Sequence, residues 1–181
     1  DGFLDILLVG GAAWEGTADH PALWLYRNNG DGTFTLRTDE AGLGRTEAFG
    51  YGVVVADYDN DGKLDMFLPS WWAEAPSLLL KNETAGGKWL QVQVEGPDGV
   101  NRMGIGSRVN VFPAGRGGNA KSLLASREIA VGFGYASGQT AIAHFGLGDV
   151  DEVDVEVVLP HGRGTLHQKG VKANQRLTVR Q

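Results

Sequence analysis

The feature that most constrains this chain is that it repeats itself. Asp1-Gly2-Phe3-Leu4-Asp5-Ile6 is answered by Asp61-Gly62-Lys63-Leu64-Asp65-Met66, an offset of 60. Further on, "ALWLYRNNGDGTF" (22–34) is answered by "SLLLKNETAGGKW" (77–89), which sets Asn28 opposite Asn82. A period of tens of residues marks propellers and solenoids. Each unit reads as a strand after an acidic turn, a variable loop and a second strand. The first unit then turns on "NNGDGTF" and ends in "GYGVVVADYD", read as a third strand leading into the next acidic loop. Short strands, regular turn signals and no helical period predict antiparallel sheet. The unit is expected to be one propeller blade. A ring needs about four to eight blades, so two units are expected to belong to a longer protein.

Beyond Asn82–Gly87 the repeat stops. "KWLQVQVEG", "SRVNVFPAG", "SREIAVGFG", "TAIAHFGLG", "VDVEVVLPHG" and "QRLTVRQ" alternate apolar and polar residues between Gly, Pro and Asn. In "VDVEVV", Val153, Val155 and Val157 share one face, and Asp154 and Glu156 the other. The expected fold is all-β: two propeller-type blade repeats over 1–86, then a small β-sandwich or barrel-like domain over 87–181. The 28 glycines show no Gly-X-Y period, which excludes collagen and suits many tight turns.

One loop carries sharp chemistry. From Asp57 the chain reads Asp57-Tyr58-Asp59-Asn60-Asp61-Gly62-Lys63-Leu64-Asp65. Candidate carboxylate ligands fall at positions one, three, five and nine, Asp57, Asp59, Asp61 and Asp65; Gly62 supplies a sharp turn, and the Lys63 carbonyl adds an oxygen. Such a loop suits Ca2+, which takes six to eight oxygens at about 2.3–2.6 Å; Mg2+ prefers a tighter octahedron with retained waters. An EF-hand also needs a bidentate Glu and flanking helices, but its place is taken by Leu68 and the flanks read as strands. Carboxylates about 4 Å apart repel by about 4 kcal/mol per pair at an effective dielectric near 20, and a divalent cation reverses that term. The competing reading is a solvated turn rich in Asx bonds. Asp1 and Asp5 are the remainder of an equivalent loop, a truncated second site. Asp31 sits in an Asp-Gly turn and reads as a turn former first.

The remaining residues exclude more than they suggest. A net charge of −6 argues against nucleic acid. The absence of cysteine rules out disulfides and thiolate metal sites. No apolar run is long enough to span a membrane. The histidines, His20, His144, His161 and His167, lack zinc-protease spacing, and no serine occupies a nucleophile elbow. His144, among alternating apolar neighbours, reads as structural. Gly104 and Gly106 in "NRMGIGSRV" read as a tight bend. Of the adjacent Trp71 and Trp72, one faces away from the core; it either packs between blades or contacts a sugar or protein ligand.

The motif D-x-D-x-D-G-x-x-D before an apolar strand, with "LYRNNGDGTF", resembles the FG-GAP or VCBS-type repeat of integrin-like β-propellers. "NRMGIGSRV" (101–109), "SREIAVGFGYASGQ" (126–139), "HFGLG" (144–148) and "ANQRLTV" (173–179) resemble the ASPIC/UnbV domain that follows such repeats in bacterial secreted proteins. The resemblance implies calcium-stabilised blades, a secreted, periplasmic or cell-surface setting, and non-catalytic adhesion or binding of a protein or carbohydrate ligand. Two alternatives stay open: an accessory region of a secreted enzyme whose catalytic part lies upstream, and a fibre subunit self-associating through open sheet edges.

Overall fold

The computed structural model describes residues 2–10, 23–44, 52–70, 76–135 and 137–181. Asp1, Trp71 and Trp72 lie outside the described residues. The fold is all-β, and the described residues form four sheets. The first joins β1 (Ile6–Val9), β2 (Leu23–Asn28) and β3 (Phe34–Leu36), each antiparallel to the next. The second joins β4 (Val54–Ala56), β5 (Asp65–Leu68) and β6 (Leu78–Leu80) in the same way.

The repeat boundary differs from the sequence reading. The strand of "GYGVVVADYD" does not close the first unit; it is β4 and pairs with β5, Ala56 opposite Asp65. The acidic stretch is therefore a hairpin loop inside the second sheet. The third strand of the first sheet is β3, whose short "FTL" follows the Asn-Gly-Asp-Gly turn directly. In that turn Gly30 and Gly32 take positive φ, and Asp31 accepts from both the N–H and the hydroxyl of Thr33. The two sheets share a small core of Leu23, Leu43 and Leu68, flanked by Leu7, Val9, Leu25, Met66 and Leu78. Alternation supplies this face from β1: Leu7 and Val9 turn inward while Ile6 and Leu8 stay exposed.

The C-terminal unit is a sandwich of two open sheets. β7 (Lys88–Val94) is central, antiparallel to β10 (Ile142–Gly148) and parallel to β13 (Gln175–Val179). The facing sheet runs β12 (Thr165–Lys172), β11 (Glu152–Val158), β8 (Arg108–Pro113) and β9 (Ala125–Glu128). Between them lies the main core, with Leu90, Val92, Phe145, Val109, Val111, Val153, Val155 and Val157 at 0–2% exposure. Each such side chain contributes about 1.5–3 kcal/mol relative to exposure. The bend expected at "NRMGIGSRV" is present. Gly104 has φ 65, and a Cβ there would come within 2.5 Å of Val94 Cβ.

Asp154 departs from the simple alternation. It is buried rather than solvated, because the β8–β9 connection and the β11–β12 bulge fold over it. Its carboxylate accepts the N–H groups of Gly115, Gly117 and Gly170 at 2.9–3.0 Å. Burial disfavours its charge, but the three donors together hold the carboxyl below the ordinary aspartate range.

Candidate functional site

The β4–β5 hairpin loop is shaped by its own aspartates. Asp57 accepts the N–H of Asp61 on Oδ1 at 3.0 Å and that of Gly62 on Oδ2 at 3.0 Å. Asp59 Oδ1 accepts the Asp61 N–H at 3.3 Å, and Asp61 Oδ1 accepts the Lys63 N–H at 2.9 Å. Asn60 and Gly62 take the left-handed backbone, φ 61 and 88, that so tight a reversal requires. The result brings one oxygen each from Asp57, Asp59 and Asp61 within 4.8 Å of one another. Oxygens on one calcium ion at about 2.4 Å can be as much as about 4.8 Å apart. This spacing is compatible with the three carboxylates sharing one hard cation.

Two ammonium groups stand among these acids. Lys81 Nζ lies 2.5 Å from Asp59 Oδ2, and Lys63 Nζ 3.2 Å from Asp61 Oδ2. The Asp59 hydrogen bond holds the Lys81 ammonium above its ordinary range. The Lys63 N–H, and after it the Lys63 ammonium, hold Asp61 below its own. Lys81 is exposed and free to swing away from an incoming cation, whereas Lys63 is half-buried and also donates to Asn82 O at 3.3 Å.

Asp65 is placed apart from the trio. It is 2% exposed, and its Oδ1 accepts the Asn82 N–H at 2.7 Å while its Oδ2 accepts the Tyr58 N–H at 3.2 Å. Asn82 returns its side-chain amide to Leu64 O at 3.1 Å. The first repeat carries the same clamp: Asp5 accepts the Asn28 N–H at 2.8 Å, and the Asn28 amide donates to Leu4 O at 3.0 Å. The alignment of Asn28 with Asn82 thus marks a paired Asp–Asn lock that ties the acidic turn to the strand beyond. Asp5 serves that lock in the first repeat, as Asp65 does in the second.

The sequence reading missed the residues that reach this loop from the C-terminal unit. Along β7, Leu90, Val92 and Val94 enter the core, so Trp89, Gln91 and Gln93 face the opposite way. Gln91 Nε2 donates to Asp57 Oδ2 at 2.8 Å. Arg176 donates to Gln91 Oε1 at 2.7 Å and to Asn60 Oδ1 at 2.8 Å. Trp89 lies under Gly62, where a Cβ would come within 1.9 Å of the indole Nε1, and stacks on His144 at 6.3 Å between ring centroids. The His144 Nδ1 is buried without a hydrogen-bond partner. Burial pushes its imidazole below the ordinary value; Asp57 pulls the other way and Arg127 adds to the fall. The polar glutamines among core valines on β7 were the available signal.

Known proteins match both parts of this architecture. Residues 1–68 match the FG-GAP-like repeat family, and residues 97–181 the family described as ASPIC and UnbV. Cartilage acidic protein 1 of Homo sapiens is 33% identical over 119 residues, 65% of this chain and 17% of that protein. The Mus musculus protein aligns to the same extent at 33%, and the Xenopus tropicalis protein is 34% identical over 65 residues, 36% of this chain and 10% of its own length. This chain therefore spans about a sixth of the length of the mammalian relatives. The chain thus carries an FG-GAP-like repeat match over residues 1–68, followed by an ASPIC and UnbV match over residues 97–181.

Proposed function

We propose that this region is a calcium-stapled, non-catalytic recognition module of an extracytoplasmic protein. The observation that carries the reading is the convergence of Asp57, Asp59 and Asp61 oxygens within 4.8 Å on a loop shaped by Asx turns. Calcium bound there draws together a hairpin that otherwise relies on lysine counter-ions. Carbonyls and waters complete its coordination. The competing ammonium groups favour modest affinity, in the roughly 10⁻⁴–10⁻³ M range of extracellular modules. That range supports a secreted, periplasmic or surface setting, where free calcium is abundant. Among the described residues no helix is long and apolar enough to cross a membrane. The human and mouse relatives are cartilage acidic proteins, and the role proposed for this region is adhesion or recognition of a protein or carbohydrate ligand.

Thermal melting in EDTA, in calcium and in magnesium tests the reading. Calcium at a hundredfold excess over its dissociation constant should stabilise the fold by about 2.7 kcal/mol, a rise of several degrees. Asp59→Ala should abolish that rise, and magnesium should give less of it. A wild-type melt indifferent to calcium would sink the reading.

A further inference from the structure

We propose that Gln91 and Arg176 are positioning residues for the cation loop, so that cation binding and docking of the repeat on the C-terminal sheet are thermodynamically linked. This rests on the calcium reading above and adds to it a partner within the same chain.

The argument starts from which groups can donate. An arginine only donates and a carboxylate only accepts. Gln91 lies between them, 3% exposed. Because Arg176 Nε occupies Oε1, the Gln91 amide nitrogen must face Asp57, so the direction of the whole relay is fixed. Asp57 Oδ2 is held by two donors, the Gly62 N–H from its own loop and Gln91 from the other unit. Arg176 also takes Asn60 Oδ1, between Asp59 and Asp61 in the chain. Two residues of one sheet thus hold two points of the loop, at either side of Asp59.

Shape supports the same contact. The equivalent glycines of the two repeats both rest on this sheet. A Cβ on Gly62 would meet Trp89 of β7, and one on Gly2 would come within 2.7 Å of Gly146 O of β10. The acid that would ligate the cation is therefore oriented by a residue of the ASPIC and UnbV side. Groups that orient metal ligands typically govern about 10–100-fold in affinity. Linkage is reciprocal: the factor by which docking raises cation affinity is the factor by which the cation strengthens docking.

The experiment uses the whole chain. Calcium is titrated calorimetrically into wild type, Gln91→Met, Arg176→Met and Gln93→Met, with Asp59→Ala as the loop control. Gln93 sits on the same strand face as Gln91, so its variant makes the same chemical change away from the relay. Gln91→Met and Arg176→Met should each weaken calcium binding by about tenfold or more, and Gln93→Met should bind as wild type does. Hydrogen exchange supplies the reciprocal readout: calcium should slow exchange around residues 172–176 in wild type and lose that effect in Gln91→Met. Should Gln91→Met fail to fold, Asn60→Gly removes the Arg176 acceptor from the loop side and suits the positive φ there. Wild-type affinity in Gln91→Met and Arg176→Met, or an equal loss in Gln93→Met, would overturn the linkage and leave the calcium reading standing. No binding by wild type would bring down the calcium reading, and the linkage with it.

Discussion

Among the described residues, fifteen buried apolar side chains join the two sheets of the C-terminal unit, whereas three join the sheets of the repeats. The described part of the repeats adds directed polar clamps, in which Asp5 and Asp65 grip the backbone of Asn28 and Asn82. The sandwich draws its stability from non-directional contact. The repeats place their stability in a few hydrogen bonds whose geometry depends on the acidic turns. A unit built this way should respond directly to what binds those turns, and its neighbour only through Gln91 and Arg176.

The largest expected effect tests the sandwich. Phe145 is fully buried at the centre of its core, and Phe145→Ala should cost about 3–5 kcal/mol. Urea unfolding followed by hydrogen exchange should show the loss across β7, β10 and β11. Equal loss in β5 and β6 would break the comparison, since the two units would then melt as one.

The next effect tests the clamps. Asp65→Ala leaves the N–H groups of Asn82 and Tyr58 without their acceptor in a nearly closed site and should cost about 2 kcal/mol. Asp5→Ala removes an exposed member of the same design and should cost about 0.5 kcal/mol. Equal losses at the two positions, in chemical denaturation of single variants, would show that burial does not distinguish the two clamps. Gly62→Ala falls between them. Its added methyl meets the Trp89 indole at φ 88, and it should open the seam at a cost of about 1–2 kcal/mol. Raised protease sensitivity between β6 and β7 would register that opening.

Sequence alone showed the two architectures but not how they meet. The repeat, the alternating strands and the acid trio follow from local spacing, which is why they could be read. The assignment of β4 failed because a three-residue strand has no pattern of its own, and only its partner β5 decides its sheet. β12 escaped because a bulge near Gly170 lets Leu166 and Val171 both pack inward, five residues apart, where a regular strand would oppose them. Asp65 looked like a fourth ligand by spacing. Its oxygens went to backbone donors at Tyr58 and Asn82, and Asn82 lies 17 residues away. Gln91 and Arg176 lie 34 and 116 residues from their loop partners, Asp57 and Asn60. No local pattern encodes those distances.

The smallest expected effect reports on the seam itself. His144 sits on the outer face of β10 with a buried, unpartnered Nδ1, and burial lowers its pKa from an ordinary value of about 6.5. Above that value the imidazole is neutral in both the folded and unfolded states and adds no pH dependence. As pH falls below about 6.5 the unfolded chain takes up the proton first, so folding stability declines until the lowered folded value is reached. Denaturation midpoints between pH 7.5 and 5 should therefore fall in wild type and fall less in His144→Phe, which keeps an aromatic ring against Trp89. Asp57 of the repeat is near enough to act on this imidazole, so if the repeat helps to bury it, Gly62→Ala should also flatten the slope by letting water reach the ring. If His144→Phe flattens the slope and Gly62→Ala leaves it unchanged, the C-terminal sheet alone buries the imidazole. The seam would then contribute nothing to the difference between the two units.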